Sequence, residues 1–172
     1  MSVRVQEAPF DVSAEIAALT AGDISIGAVA TFIGKVRGEA HGSKLQSMTL
    51  EHYPGMTEDE LTRIEQEAGQ RFRLNASCII HRIGELKPGD DIVMVITCSP
   101  NRQDAFEACE FLMDYLKTRA PFWKKETNRD GQGHWVDARE ADNSAASSGR
   151  SRAPKRLRIK HNSVPQQFLT GP

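Results

Sequence analysis

The chain has 172 residues, with 22 Lys and Arg against 23 Asp and Glu and a formal net charge of −1 at pH 7. This length is enough for one domain with a substantial core, and the balanced charge gives no overall indication of a nucleic-acid or membrane partner. The N-terminal segment lacks the apolar run of a secretory signal, and no stretch approaches a membrane span. The three cysteines show no CxxC spacing, which suits buried thiols in a reducing compartment. We therefore expect a cytoplasmic protein.

The first third of the chain alternates between strand and helix patterns. Residues 3–5 predict a short strand, and Asp11 or Ser13 can cap the helix that follows. Residues 28–33 are almost entirely apolar, which predicts a buried strand that leads into a polar loop with several glycines. Residues 45–53 predict the next strand, and a Pro-Gly turn ends it.

The middle of the chain predicts a helix and then a hairpin. Thr57 and Glu60 have the spacing of a capping box, so we expect the helix to begin after Thr57 and to continue to about residue 72. Residues 78–83 and 91–98 predict two apolar strands, and a second Pro-Gly turn lies between them. We expect these two strands to pair in antiparallel fashion.

The order of the elements favours one fold class. Several strands follow one another directly, and three helices are inserted among them. This order favours an α+β protein with a largely antiparallel sheet over a doubly wound parallel fold.

The composition changes after Asp142. Residues 143–172 contain no acid but six cations, with Ser, Pro and Gly throughout. We therefore expect one folded domain over residues 1–142 and a basic, disordered tail over residues 143–172. Such a tail could bind nucleic acid or an acidic partner, or could have no role.

The strongest concentration of charge lies where the last helix must end. Apolar residues recur at three- and four-residue steps up to Leu116, after a cap at Ser99 or Asn101, and Pro121 cannot continue the helix. The next residues include four cations: Lys117, Arg119, Lys124 and Lys125. A lysine held against an apolar wall can become an acid, base or nucleophile. The alternative is structural, since the helix dipole favours cations in a last turn and lysines protect strand edges.

Other cations predict an anionic substrate. Arg37 lies in a glycine-containing loop, Arg139 follows a tryptophan, and Arg102 occupies the first turn of a helix, where a cation opposes the dipole. Arginine suits phosphate, and lysine suits proton or acyl chemistry. The five histidines show no metal-ligand spacing, so we expect neither a metal nor a cofactor. We interpret His52 and His81 as core or edge residues rather than catalysts.

Four separated motifs occur in one order along the chain. They are TFIGKVR at 31–37, LEHYPGM at 50–56, HRIGEL at 81–86 with a following Gly-Asp, and KTRAPFWKKE at 117–126. Together they resemble the large, catalytic subunit of molybdopterin synthase, the MoaE family. The likeness covers about residues 3–142, and the tail is unlike the usual ending of that family.

The resemblance implies an α/β hammerhead fold with a small additional β subdomain. It also implies a heterotetramer, in which two large subunits form a central homodimer and each binds a small ubiquitin-like sulfur carrier of the MoaD type. The Gly-Gly thiocarboxylate at the end of the carrier would enter a pocket of the large subunit. Its sulfur would pass to cyclic pyranopterin monophosphate, and two transfers would make the dithiolene of molybdopterin.

The resemblance also assigns residues. Lys117 and Lys124 match the catalytic pair of the family, for proton transfer and for stabilisation of developing charge. The substrate-binding positions match five residues: Arg37, Asn101, Arg102, Lys125 and Arg139. The neighbouring subunit is a possible contributor to this anion pocket. Many members have His where this chain has Asn101, which can donate a hydrogen bond but cannot shuttle a proton at neutral pH.

Two alternatives remain open at the level of sequence. The chain could be a binding module that uses residues 143–172 for nucleic acid, with the fold as a scaffold. It could also be a degenerate family member that docks the carrier without catalysis. The presence of Asn101 where many members have His is consistent with this hypothesis.

Overall fold

A computed structural model describes residues 1–40, 42–131 and 133–136. Arg139 and the predicted tail over 143–172 lie outside these residues. The helices are α1 (Val12–Thr20), α2 (Met56–Arg71) and α3 (Arg102–Thr118). The strands are β1 (Ser2–Gln6), β2 (Ala28–Lys35), β3 (Glu39–Ala40), β4 (Ser43–His52), β5 (Ala76–Arg82), β6 (Gly84–Leu86), β7 (Asp91–Ser99), β8 (Phe122–Asn128) and β9 (Gly133–Val136). No helix in these ranges has the length and apolarity needed to cross a bilayer.

The first sheet has the strand order β1-β5-β7-β2. The β1–β5 pair is parallel, while β5–β7 and β2–β7 are antiparallel, so the predicted pairing of the two apolar strands is confirmed. Helices α2 and α3 cover one face, where Leu61, Leu112 and Val95 share a core. Helix α1 covers the other face, where Ile16 packs against buried side chains such as Ile80.

The second sheet is small and entirely antiparallel. Its order is β3-β4-β8-β9, and β6 leaves the β5–β7 connection to pair with β4. A separate apolar cluster lies beneath this sheet and includes Leu45, Leu50 and Leu86. The predicted α+β class, with largely antiparallel strands and a small additional β part, is confirmed.

Strand β2 differs from the prediction because it lies at the edge of the first sheet. Val29, Phe32 and Ile33 are 40%, 38% and 37% exposed, and only Ala30 is buried. The apolar composition of the segment does not reveal that one of its hydrogen-bonding edges has no neighbouring strand. The prediction of a buried strand here is wrong, and the described chain leaves an apolar edge open.

The start of α2 also differs from the prediction. The helix begins at Met56, and Gly55 caps it with a φ of 85°, a conformation that favours glycine. The Glu58 carboxylate accepts the Gly55 N–H at 2.7 Å, so Glu58 has the role predicted for Glu60. Thr57 lies inside the first turn instead, and its side chain is fully buried.

Thr57 joins the start of α2 to the segment that follows α3. Its hydroxyl accepts the Tyr53 N–H at 3.1 Å and donates to the Pro121 carbonyl at 3.4 Å. Thr57→Val keeps the shape but leaves both groups without this partner, so we expect a loss of about 1–3 kcal/mol in the free energy of unfolding. Thr57→Ser keeps the hydroxyl and is expected to lose less. Urea denaturation measures both, and equal stability of the Val variant and wild type would contradict this role.

Candidate active site

Helix α3 ends where the sequence predicts. Its buried face contains all six residues of the predicted stripe, Ala105, Ala108, Cys109, Leu112, Met113 and Leu116, as well as Tyr115. Asn101 caps the start, since its side-chain oxygen accepts the Asp104 N–H at 2.9 Å. The Arg119 N–H caps the end by donating to the Tyr115 carbonyl at 2.9 Å. Lys117 therefore lies in the last turn, at the edge of the packed face.

Strand β8 begins directly after Pro121 and carries the second lysine of the predicted pair. It pairs with β4 in antiparallel fashion, with Lys124 opposite Leu50. Since side chains alternate along a strand, Lys124 and Glu126 share one face and Trp123 and Lys125 share the other. The first of these faces forms part of a pocket.

This pocket has a volume of about 290 Å³ and lies at the C-terminal end of α3. Its charged lining residues are Lys35, Arg37, Glu39, Lys117, Lys124 and Glu126. Its apolar lining residues are Ala40, Leu45, Met48, Leu50, Ile92, Leu116, Ala120 and Phe122, and His81 completes the wall. Four cations against two acids, around an apolar floor, suit an anionic ligand with an apolar or flexible part.

The two lysines differ in their surroundings. The Lys124 ammonium lies 2.8 Å from a carboxylate oxygen of Glu126, and the two side chains are 22% and 7% exposed. This half-buried ion pair fixes the position of the Lys124 charge. Lys117 is exposed at the mouth of the pocket and has no ion pair with any residue in the described ranges. Its ammonium is therefore free to turn towards a ligand.

One chain brings together only part of the predicted site. Arg37 lines the pocket with the two lysines. Lys125 lies on the other face of β8, with its ammonium 5.8 Å from the ring centre of Trp135. Asn101 and Arg102 lie at the opposite end of α3, about 22 Å from Lys117 along the helix axis. Arg139 lies outside the described residues.

Four polar or charged lining residues were not predicted from the sequence: Lys35, Glu39, His81 and Glu126. Glu126 could have been found, because the two-residue period of a strand places it on the same face as Lys124. Lys35 forms an ion pair with Asp91 beside the pocket. No group of three or more His, Cys, Asp or Glu side chains that could hold a metal ion occurs in the described part of the chain.

The prediction that His52 and His81 are core or edge residues is confirmed for their burial. It did not place His81 in the wall of the pocket. His52 is half-buried and lies 3.1 Å from Glu58. His81 is buried, and its ring stacks on Phe122 with 3.7 Å between ring centres and 15° between planes. Burial lowers the pKa of His81 from 6.5 to about 4, although its hydrogen bond to the Arg82 carbonyl opposes this shift.

The lowered pKa of His81 predicts a specific acid sensitivity. Between pH 6.5 and about 4 the unfolded chain binds this proton and the folded chain does not. The free energy of unfolding should therefore fall as the pH falls through this range, with a slope of up to about 1.4 kcal/mol per pH unit from this residue. We expect the slope in His81→Phe to be smaller by that amount, as measured by urea denaturation at several pH values. An unchanged slope would contradict the assignment.

These observations define a class of protein, a two-sheet α+β protein with a cationic pocket at the end of its longest helix. The sequence model of one family, described as "MoaE protein", matches residues 5–119, which is more than half of the chain. The chain belongs to the MoaE family.

Two similar curated proteins share the name "Molybdopterin synthase catalytic subunit". The protein of Ralstonia nicotianae is 56% identical over 144 residues, covering 84% of this chain and 81% of the relative. The protein of Escherichia coli is 54% identical over 138 residues, covering 80% of this chain and 91% of the relative.

Solved structures agree with the fold. The MoaE protein of Burkholderia ambifaria is 52% identical with a TM-score of 0.71, covering 86% of this chain and 96% of that one. Molybdopterin synthase of Staphylococcus aureus is 31% identical with a TM-score of 0.71, covering 77% of this chain and 95% of that one. A complex of subunits 1 and 2 of the molybdopterin-converting factor of Helicobacter pylori matches with a TM-score of 0.66, covering 78% of this chain and 90% of that one, and at 19% identity it supports the fold alone.

Proposed function

We propose that this chain is the catalytic subunit of a molybdopterin synthase. In this reaction a small carrier protein delivers sulfur from its C-terminal thiocarboxylate to cyclic pyranopterin monophosphate. The observation that carries the proposal is the convergence of Lys117 and Lys124 on one pocket with Arg37, in a family whose curated relatives have this name. As a member of this class, the protein would be a sulfurtransferase of the cytoplasm.

The lining of the pocket suits two ligands that come into contact there, the carrier tail and the substrate. The apolar floor can take a flexible Gly-Gly tail without leaving polar side chains of the pocket unpaired. The cations at the wall and mouth can bind a phosphate and the negative charge of a thiocarboxylate. Both reacting groups would then lie beside the lysines.

The two lysines would have different tasks. When the thiocarboxylate sulfur attacks a carbonyl carbon of the substrate, a carbon–sulfur bond forms, the C=O π electrons move to the oxygen, which takes a proton, and the carrier is held as a thioester. That oxygen later leaves as water. Water then cleaves the acyl–sulfur bond, so the carrier leaves as a carboxylate and the sulfur stays on the substrate. Lys124, fixed by Glu126, would stabilise the oxyanion that forms at the acyl carbon. Lys117, which is free to rotate, would move protons to and from the substrate.

The anion site would be completed by a second copy of the chain. The start of β2 lies beside the start of α3, because the Gly27 N–H donates to the Ser99 carbonyl at 3.0 Å. The other end of β2 leads to Lys35 and Arg37 at the pocket. If two β2 edges pair in antiparallel fashion about a two-fold axis, the start of one strand lies beside the end of the other.

The distances fit this arrangement. From Ala28 to Lys35 the strand spans about 23 Å, close to the roughly 22 Å that separates Arg102 from Lys117 within one chain. The pairing would therefore bring Asn101 and Arg102 of one copy towards the pocket of the other. It would also cover the exposed Phe32 side chain. We propose this homodimer as the core of a heterotetramer with two carriers of the MoaD type.

We assign the activity to residues 1–142 and propose no function for residues 143–172.

The test is reconstitution from purified components: this protein, a thiocarboxylated small subunit and cyclic pyranopterin monophosphate. We expect molybdopterin to form, and a chain that ends at residue 142 to be equally active. Tight carrier binding without product would favour the hypothesis of a degenerate family member that docks the carrier without catalysis. Asn101, where many members have His, is consistent with that hypothesis. Salt-sensitive nucleic-acid binding that is lost on truncation would favour the binding-module hypothesis.

A further inference from the structure

His81 differs in chemistry from every other residue of the pocket lining. Among the described residues that line the pocket, all other side chains are either charged or apolar. His81 is therefore the one neutral side chain there that can form a hydrogen bond. It lies on β5, opposite Val5 and Val93 on the neighbouring strands, so its backbone is held from both sides.

The structure fixes which ring nitrogen carries the proton. Nδ1 lies 2.9 Å from the Arg82 carbonyl oxygen, which can only accept. Nδ1 must therefore be the donor, and in a neutral ring Nε2 keeps a free lone pair. A 180° flip of the ring would keep the stack on Phe122 but would place a carbon, instead of Nδ1, opposite the Arg82 carbonyl, so this hydrogen bond sets the orientation of the ring. Nε2 has no hydrogen-bond partner among the described residues.

The other acceptors of the pocket are less suited to a neutral N–H donor. Glu126 is paired with Lys124, and Glu39 is exposed at the rim. The cations Arg37 and Lys117 face the same space and offer donors only. With its pKa near 4, His81 stays neutral at physiological pH and cannot repel a donor by charge.

We propose that His81 is a ligand-positioning residue, whose Nε2 accepts a hydrogen bond from an N–H group of the molecule bound in the pocket. This inference rests on the proposed function, which supplies two molecules with such groups. One is the backbone amide of the terminal Gly-Gly of the carrier, and the other is the ring N–H of the pterin. The chemistry is the same for both, so the experiment must separate the two sources.

Two substitutions isolate the acceptor. His81→Phe keeps a flat ring against Phe122 but removes both nitrogens, whereas His81→Gln can present an oxygen close to the position of Nε2. We expect the Phe variant to raise the KM for either the carrier or the pterin by about ten-fold, the size of one neutral hydrogen bond, and the Gln variant to recover most of it. His52→Phe, which changes a histidine outside the pocket lining, is the matched control and should leave both KM values unchanged.

A spectroscopic measurement tests the same point without turnover. In ¹⁵N spectra of the folded protein, the His81 ring should show a protonated Nδ1 and an unprotonated Nε2. On addition of the unthiolated small subunit or of the pterin substrate, the Nε2 signal should shift in the direction of a nitrogen that accepts a hydrogen bond.

A protonated Nε2, or unchanged KM values for both ligands in a folded His81→Phe variant, would overturn the proposal. If instead wild-type protein makes no molybdopterin, the proposed function fails. The ¹⁵N shift on carrier binding still tests the role of His81 in that case.

Discussion

Replacing Lys117 with alanine is expected to abolish sulfur transfer and to leave carrier binding nearly intact. The side chain is exposed at the mouth of the pocket and has no ion pair in the described ranges, so its loss should not disturb the fold. Loss of a group that moves protons in the reaction costs about 10²–10⁴ in rate. Molybdopterin formation measures the first effect, and calorimetric titration with the unthiolated carrier measures the second.

Arg119→Ala provides the matched control for Lys117→Ala. Arg119 is an exposed cation two residues further on, and it does not line the pocket. We expect this variant to keep most of its activity. Turnover retained in Lys117→Ala would remove Lys117 from the mechanism, and an equal loss in both variants would point to a general effect of charge.

Mixing two inactive variants is expected to restore activity if two copies share each site. Lys117→Ala removes a residue from the pocket, and Arg102→Ala removes the residue that the second copy would supply. In a mixed dimer, one pocket combines the intact Lys117 of one chain with the intact Arg102 of the other. Random association should therefore restore about a quarter of the wild-type activity. Co-expression with two affinity tags allows the mixed dimers to be purified and assayed.

The matched control is a single chain that carries both substitutions. When this double variant is mixed with wild type, neither pocket of a mixed dimer has both an intact Lys117 and an intact Arg102. The double variant should therefore add no activity beyond that of the wild-type dimers. If the two single variants together stay as inactive as either alone, Arg102 does not act across the interface. The proposed pairing of β2 edges would then be wrong.

Much of the fold was predictable because the residues that decide it have a strong local pattern. The stripe from Ala105 to Leu116 specifies a buried helix face, and Pro121 specifies its end. Residues 91–98 specify a central strand, since they are apolar on both faces. The pairing of Lys117 with Lys124 was instead implied by the resemblance, and both residues line one pocket.

The other features of the fold and the site depend on contacts between residues that are distant in the sequence, which local patterns do not reveal. The composition of β2 is that of a buried strand, and only the strand order shows that it lies at an edge. Arg102 was assigned by resemblance to a site that lies far from it in its own chain. His81 was interpreted as a core residue because burial and a pocket wall give the same sequence signal. Long-range packing decides each of these cases.

The exposed edge of β2 also has a consequence for how the protein should be produced. Seven of its eight residues are uncharged, and Lys35 at its end is the only charge that discourages further pairing. Strands of this kind join other chains readily, and they are sites at which aggregates begin. A protein made in excess or held partly unfolded would therefore be prone to insolubility through this strand. A charge placed at Thr31 should reduce that tendency, and it should also prevent assembly of the dimer.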